Sequence, residues 1–336
     1  MTPLRKISSR DVAAQAGVSQ TTVSYVLNGR DDVAIPPATR QRVLDAAHAL
    51  GYRANASAKA MRSGRFGSVA LLLGQNPAMS ILPPPRLQSI LDALEERELH
   101  LIVSRFDDET LTDTRKMPRI LREITADGLL INYNSNLPEH MAGVIAQNQI
   151  PAVWMNSKQD ADCVYPDDFD AAKRATEHFI SQGHRRIAFG CASPSAHYSF
   201  TDRAAGYTAA MNAANLPPET LLLRIDLTSP QTMRETAAWL GGAAPITAVL
   251  TYSYHDVFPI VPAVAAFGLT MPADFALMTF HYELIREFGR TIGVMRLPEQ
   301  EIGRKSVEML IEKISNPAQT FAPFALNLEL NSGDSA

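Results

Sequence analysis

Cysteine is almost absent from this chain of 336 residues: Cys163 and Cys191 are the only two, too few for a disulfide framework or a zinc finger. Long apolar runs are missing as well. None reaches the roughly 18–20 residues of a membrane span. The opening MTPLRKISSRD is polar and has no signal-peptide core, so a cytoplasmic protein with no membrane association is expected. Enzyme signatures are also lacking. No Gly-rich phosphate loop, GxSxG elbow or Cys/His metal spacing occurs, which argues against catalysis and leaves no cofactor expected. His184 in QGHRRIAFG stands alone, before a strand pattern.

What remains is an ordinary globular composition, 46% hydrophobic and 20% charged, on a chain long enough for several domains. The net charge of −4 hides an asymmetry. Residues 1–65 hold ten Lys/Arg against four Asp and carry +6, whereas the remainder carries −10. A solvated charged face explains either half but not the split. A basic module on an acidic body is what a DNA-binding arm on a soluble sensor requires.

In that basic stretch, DVAAQAGVSQTTVSYVLNG (residues 11–29) bears apolar stripes on two short helices interrupted at Gly17–Val18. Ser8 and Asp11 form a helix start, placing the first helix near Ser9, and Ser19 caps the second. Gly17 supplies the positive φ of a tight interhelical turn. A plain helical hairpin accounts for the apolar spacing alone; a helix-turn-helix, whose second helix enters the DNA major groove, accounts for the turn as well. A third helix is expected from Pro36–Pro37 through TRQRVLDAAHALGY, with Val43, Leu44, Ala47 and Leu50 buried and Gly51 closing it. Ser19 and Gln20 begin the second helix. Gln20 can pair with adenine, and Thr21 offers a methyl to thymine. Thr22, Ser24 and Asn28 are short polar groups suited to phosphate. Val23, Val26 and Leu27 are core.

From Gly67 the pattern alternates between strand-like and helical segments: SVALLLG, LQSILDALEERE, LHLIVSRF, PRILREITA, DGLLINY, MAGVIAQNQ, PAVWMN, then AAKRATEHFISQGHRRIAFG onward to DFALMTF. Such alternation predicts βαβ units and parallel sheets covered on both faces, economically two doubly wound lobes. The prolines at 83–85 are expected to be stiff and extended, not helical.

AGVSQTTVSYVLNG followed by TRQRVLDAAHALGY closely resembles the DNA-binding headpiece of the lactose/galactose-repressor (LacI/GalR) family. ATEHFISQGHRRIAFG, RAAGY, GLTMPADFALMTF and EIGRKSVEMLIEKI resemble its sensor core. The resemblance implies a multidomain protein: an all-α helix-turn-helix headpiece (1–52), a hinge (53–66) and an α/β two-lobed core like the periplasmic binding proteins (67–330). It puts 67–160 and about 294–318 in the first lobe and 161–293 with 319–330 in the second, joined by three crossovers. Operator-reading positions fall at Gln20, Thr21 and Tyr25. RANASAKAMRSGRFGS is by composition a basic linker. The family pattern makes it a hinge helix, with Asn55, Ala58, Lys59, Met61 and Arg62 at DNA and Met61 as the minor-groove wedge.

The same resemblance places a small-molecule effector between the lobes. Arg203 is the family arginine that grips the ligand. Asn156, Ser253, His281 and Arg296 fall at cleft positions, with Ser253–Tyr254 and His281 standing where the family carries Asn-Asp and an aspartate. His281 is otherwise a satisfied structural histidine, and Tyr252, Tyr254, His255 and Tyr282 are either a stacking wall or packing. With two sugar-gripping carboxylates gone and Arg203, Arg296 and His281 as donors, a polar or anionic ligand is expected in place of a plain monosaccharide. The implied function is a homodimeric, effector-controlled regulator of transcription, a repressor by default, acting on double-stranded operator DNA. A transport-type binding protein would share the core but not the headpiece.

Overall fold

The computed structural model describes residues 7–30, 32–53, 64–74, 80–106, 126–133, 141–223, 230–241, 244–287 and 289–336, except for the side chains of 230, 232 and 233. The hinge positions Asn55, Ala58, Lys59, Met61 and Arg62, and nearly all of the expected helix PRILREITA, lie outside them. The chain divides into two compact units, Met1–Gly67 and Ser68–Ala336.

Unit 1 consists of α1 (Ser9–Ala16), α2 (Gln20–Leu27) and α3 (Pro37–Ala49). Backbone N–H and hydroxyl of Ser8 both donate to the Asp11 carboxylate, at 2.8 and 2.7 Å. This reciprocal cap is why α1 begins where it does. Gly17 leaves α1 at φ 67°, and Ser19 Oγ accepts from Thr22 N at 3.1 Å to start α2. Val12, Ala13, Ala16, Val23, Val26, Val43, Ala46 and Ala47 are packed together. The α3 stripe therefore runs 43, 46, 47 and 50. Leu44, expected in it, sits about 100° further round the helix and is 41% exposed.

Unit 2 contains two sheets. The first is parallel, with β2 (His100–Phe106), β1 (Ser68–Gly74), β3 (Gly128–Asn132), β4 (Ala152–Met155), β5 (Cys163–Pro166) and β12 (Phe324–Leu326) side by side. The second runs β7 (Glu219–Leu222), β6 (Ile187–Cys191), β8 (Ala248–Thr251), β9 (Ala276–His281) and β11 (Arg290–Arg296). Here β10 (Ile285–Glu287) and β13 (Glu329–Asn331) are antiparallel to β11. Helices α4 (Pro84–Glu95), α5 (Met141–Gln147) and α10 (Glu299–Ser315) cover the first sheet. Helices α6 (Asp168–Ser181), α7 (Tyr198–Ala213), α8 (Pro230–Leu240) and α9 (Ile260–Ala266) cover the second.

Both faces are dry, so alternate residues of one strand serve different cores. Val69, Leu71 and Leu73 of β1 pack with α4 and α10, while Ala70 and Leu72 pack with α5. In the second lobe Ala276, Met278 and Phe280 face α6 and α7, and Leu277 faces α9. Helices α6 and α7 approach closely at Gly206, where a Cβ would stand 2.1 Å from the Phe169 carbonyl oxygen.

Two expectations are corrected. Lobe boundaries move, because Cys163–Pro166 pairs with β4 and Phe324–Leu326 with β5, both in the first sheet. Arg290–Arg296 pairs with β9 in the second. The chain thus crosses between lobes near 166–168, 296–299 and 326–329. Strands of three or four residues carry too little apolar pattern to reveal their sheet from sequence. The proline run is only partly extended: Pro83 caps α4 at φ −60°, ψ 142°, while Pro84 and Pro85 begin the helix. First-turn N–H groups have no intrahelical acceptor, so proline loses nothing there.

Candidate functional site

In unit 1, Ser19, Gln20, Thr21 and Asn28 are exposed on α2, while Thr22, Ser24 and Tyr25 are half-buried. Local geometry divides them. Thr22 Oγ1 lies 2.9 Å from Ser19 Oγ, and Asn28 Nδ2 donates to Ser24 O at 2.6 Å, so these four stabilise the helix ends. Gln20 and Thr21 project from the first turn, the part of a recognition helix that meets base edges. Tyr25 lies one turn on, with the Arg30 guanidinium 5.7 Å from its ring centre.

In unit 2 two side-chain bonds join the lobes at the C-terminal ends of their strands. His197, capping α7, donates from Nε2 to Asn156 O at 2.8 Å, and Lys158 Nζ reaches Asp202 at 2.7 Å. Asn156 ends β4 at φ 51°. The crevice beyond the carboxyl ends of doubly wound sheets is where such folds receive ligands.

Arg203 is buried in the second-lobe wall. Its Nε donates to Asp168 Oδ1 at 2.7 Å and another guanidinium N–H to Tyr252 O at 2.6 Å, while the plane lies 3.9 Å from the Phe280 ring centre. The first lobe carries a counterpart. Arg86 donates to Glu299 Oε2 at 2.6 Å and to Asn132 Oδ1 at 2.7 Å, all three buried. Asp168 and Glu299 are the first residues of helices that directly follow crossovers. Each arginine therefore ties a chain passage to its lobe. The Asp168 Oδ2 atom is buried and accepts no hydrogen bond among the described residues. Burial first, and the nearby Asp168 next, push the Tyr198 hydroxyl well above its ordinary pKa. Burial pulls His197 below the usual histidine value, so it is neutral at pH 7 with its Nε2 proton on Asn156 O.

The other cleft candidates divide. Ser253 N and Oγ both donate to buried Asp256, at 2.8 and 3.0 Å, and Asp256 also accepts from Ala192 N at 2.9 Å. Ser253 is thus the cap of a one-turn 3₁₀ helix, Tyr254–Val257, tied through Asp256 to the loop after β6. His281 Nδ1 accepts from Glu283 N at 3.1 Å, and its ring stacks on Tyr282 with centres 4.4 Å apart and lies 5.2 Å from Tyr254. That leaves Nε2 and an aromatic rim. Arg296 stands beside His281 in register but is exposed and ion-paired to Glu329 across β11 and β13, which separates it from the buried cluster.

Sequence reasoning missed Arg86, Asn132, Glu299, Asp168 and His197. One signal was available. A cation in the first turn of a helix opposes the macrodipole, so Arg86 directly after the prolines called for a carboxylate partner.

No helix among the described residues is long and apolar enough to cross a membrane. Residues 9–55 match the model of bacterial regulatory proteins, lacI family, and residues 176–335 that of a periplasmic binding protein-like domain. The maltose regulon regulatory protein MalI of Escherichia coli is 29% identical over 309 residues, spanning 90% of this chain and 82% of that protein. The HTH-type transcriptional regulator CelR of Thermobifida fusca is 26% identical over 328 residues, 95% of this chain and 94% of that one. Among solved structures, the lac repressor dimer bound to operator and the anti-inducer ONPF superposes with a TM-score of 0.79 at 19% identity, covering 98% of this chain and 99% of that one. This chain thus carries the DNA-binding domain of the lacI family beside a periplasmic binding protein-like domain, and it is similar along nearly all its length to transcriptional regulators that join the two.

Proposed function

We propose that unit 1 reads a pseudo-palindromic operator as one half of a homodimer, and that a small molecule held between the lobes of unit 2 changes its DNA affinity. The observation that carries the DNA reading is the exposed pair Gln20 and Thr21 on the first turn of a capped helix, in a module of net positive charge. One headpiece offers little contact area, and specific affinity calls for two half-sites. Repression by occlusion of polymerase is the default mode.

For the effector, the supporting feature is the meeting of the C-terminal strand ends of the two lobes, where Asn156 and His281 stand at the ends of β4 and β9 and Arg203 lies buried behind Tyr252. Ligand-dependent closure would shift the population of DNA-competent dimers. The anionic ligand expected from the sequence loses its main support, because Arg203 and Arg296 are each paired with a carboxylate. A wall in which the buried arginines are already paired with carboxylates favours a neutral, polar ligand. The relative CelR has been solved as a cellobiose complex.

The test begins with selection of duplexes from a random library by the full chain. A thermal-shift screen of neutral and anionic metabolites follows, and each hit is titrated against the selected duplex. Recovery of a two-fold-related sequence, bound by a dimer and weakened or strengthened by a hit, is the expected result. Monomers alone with and without the duplex, or no enriched sequence, would overturn it.

A further inference from the structure

Unit 1 carries a basic excess, yet in the loop leaving α2 an arginine is held by an acid. Arg30 Nε donates to Asp32 Oδ1 at 2.6 Å, and a terminal guanidinium nitrogen of Arg30 contacts Asp32 Oδ2, a bidentate pair. The backbone on either side is tethered. Arg30 N donates to Tyr25 O at 3.0 Å, and Arg40 donates to Arg30 O at 3.3 Å. The guanidinium lies by the Tyr25 ring, on the helix that bears Gln20 and Thr21. More than half of each charged side chain is exposed, so the pair is open to competition by a third charge.

We infer that Asp32 is a specificity-determining residue: it cancels the charge of Arg30 beside the recognition helix, suppressing binding to DNA of any sequence. The inference rests on the DNA reading above. Phosphate contacts provide affinity without sequence information, whereas base-edge contacts discriminate. A free arginine next to Tyr25 strengthens binding to every duplex alike. Paired to Asp32 it must exchange one anion for another to reach a phosphate, with no net release of counterions. The carboxylate left behind then faces the DNA backbone and opposes the exchange. Exposed ion pairs of this kind contribute little to folding, so holding Arg30 is a role that does not depend on stability. Discrimination is thereby left to Gln20, Thr21 and Tyr25.

The experiment measures the full chain by fluorescence anisotropy against two labelled 30-base-pair duplexes across a salt series. One duplex is of scrambled sequence, and the other is obtained by selection with the parent protein. Asp32→Asn is expected to bind the scrambled duplex more tightly. Its log affinity should fall more steeply with log salt, by about 0.9 per headpiece. For a dimer with two headpieces that slope corresponds to a further roughly twelvefold loss of affinity for each fourfold rise in salt. The ratio of selected to scrambled affinity should drop. The double variant Arg30→Ala/Asp32→Asn should return to the parent slope, because the freed cation is gone. An unchanged or shallower slope in Asp32→Asn, or weaker binding to both duplexes with parental thermal stability, would overturn the inference. A parent protein that binds neither duplex would overturn the DNA reading itself, and is told apart by the absence of any anisotropy change.

Discussion

Arg203 and Asp168 form a buried ion pair at 2.7 Å, and Asp168 is the first helical residue after the chain has crossed from the first lobe to the second. The residue that the family resemblance assigns to ligand is thus also a fastener of the lobe connection. Both charges are almost wholly withdrawn from water, so neither tolerates loss of the other.

Arg203→Ala should destabilise unit 2 by about 3–5 kcal/mol, the usual cost of leaving one buried charge without its partner. Urea denaturation followed by tryptophan fluorescence reads this. The double variant Arg203→Ala/Asp168→Ala should cost less than the single one, since no uncompensated carboxylate remains. A double variant that is less stable than Arg203→Ala would show that packing, not charge, dominates the site.

Replacing Gln20 or Thr21 should alter which base pairs are preferred, by roughly 1–3 kcal/mol for each good base-edge interaction removed. Val23→Ala, by contrast, should weaken binding to all sequences by loosening the headpiece core, because Val23 is fully buried. Selection from random duplexes separates the two effects. The same enriched sequence for Gln20→Ala as for the parent would displace the recognition helix from its assigned role.

Stability should decline as pH falls below neutrality. Burial holds both His184 and His197 below the ordinary histidine value of 6.5. Between that value and their lowered ones, the unfolded chain binds more protons than the folded one, so acid favours unfolding. Melting temperatures at pH 7.5 and 5.5 should therefore differ more for the parent than for His184→Gln/His197→Gln. Equal decrements in the two proteins would exclude these imidazoles as the cause.

Gly206→Ala should be among the most damaging single-methyl changes in unit 2. Its Cβ would overlap the Phe169 carbonyl, a backbone atom with no rotamer to escape into, between helices that otherwise pack closely. A loss of about 1–3 kcal/mol is expected from overpacking. Ala205→Gly on the same helix, at an exposed position, should cost about 1 kcal/mol through helix propensity alone. Chemical denaturation of both variants makes the comparison.

Elements governed by near neighbours were legible in the sequence alone. Ser8 with Asp11, Gly17, Ser19 and Pro37 locate the headpiece helices within a residue, because caps and turns join groups three or four positions apart. Runs such as SVALLLG and PAVWMN were readable as buried strands for a similar reason: burial on both faces demands unbroken apolar stretches. The motif resemblance then pointed to Arg203 and to the end of PAVWMN.

Whatever depends on distant partners was settled by the folded chain. Whether Cys163–Pro166 and Phe324–Leu326 join the first or second sheet is a matter of backbone pairing, which hardly registers in side-chain pattern. Only folding brings Arg86 to Glu299, 213 residues away, joins Asp256 to Ala192 N, or turns Arg296 to Glu329. A side chain's chemistry is written in its own residue. Its remaining valence is what the fold leaves after neighbours far away in sequence have taken their hydrogen bonds, and that remainder is what a ligand or a DNA strand meets.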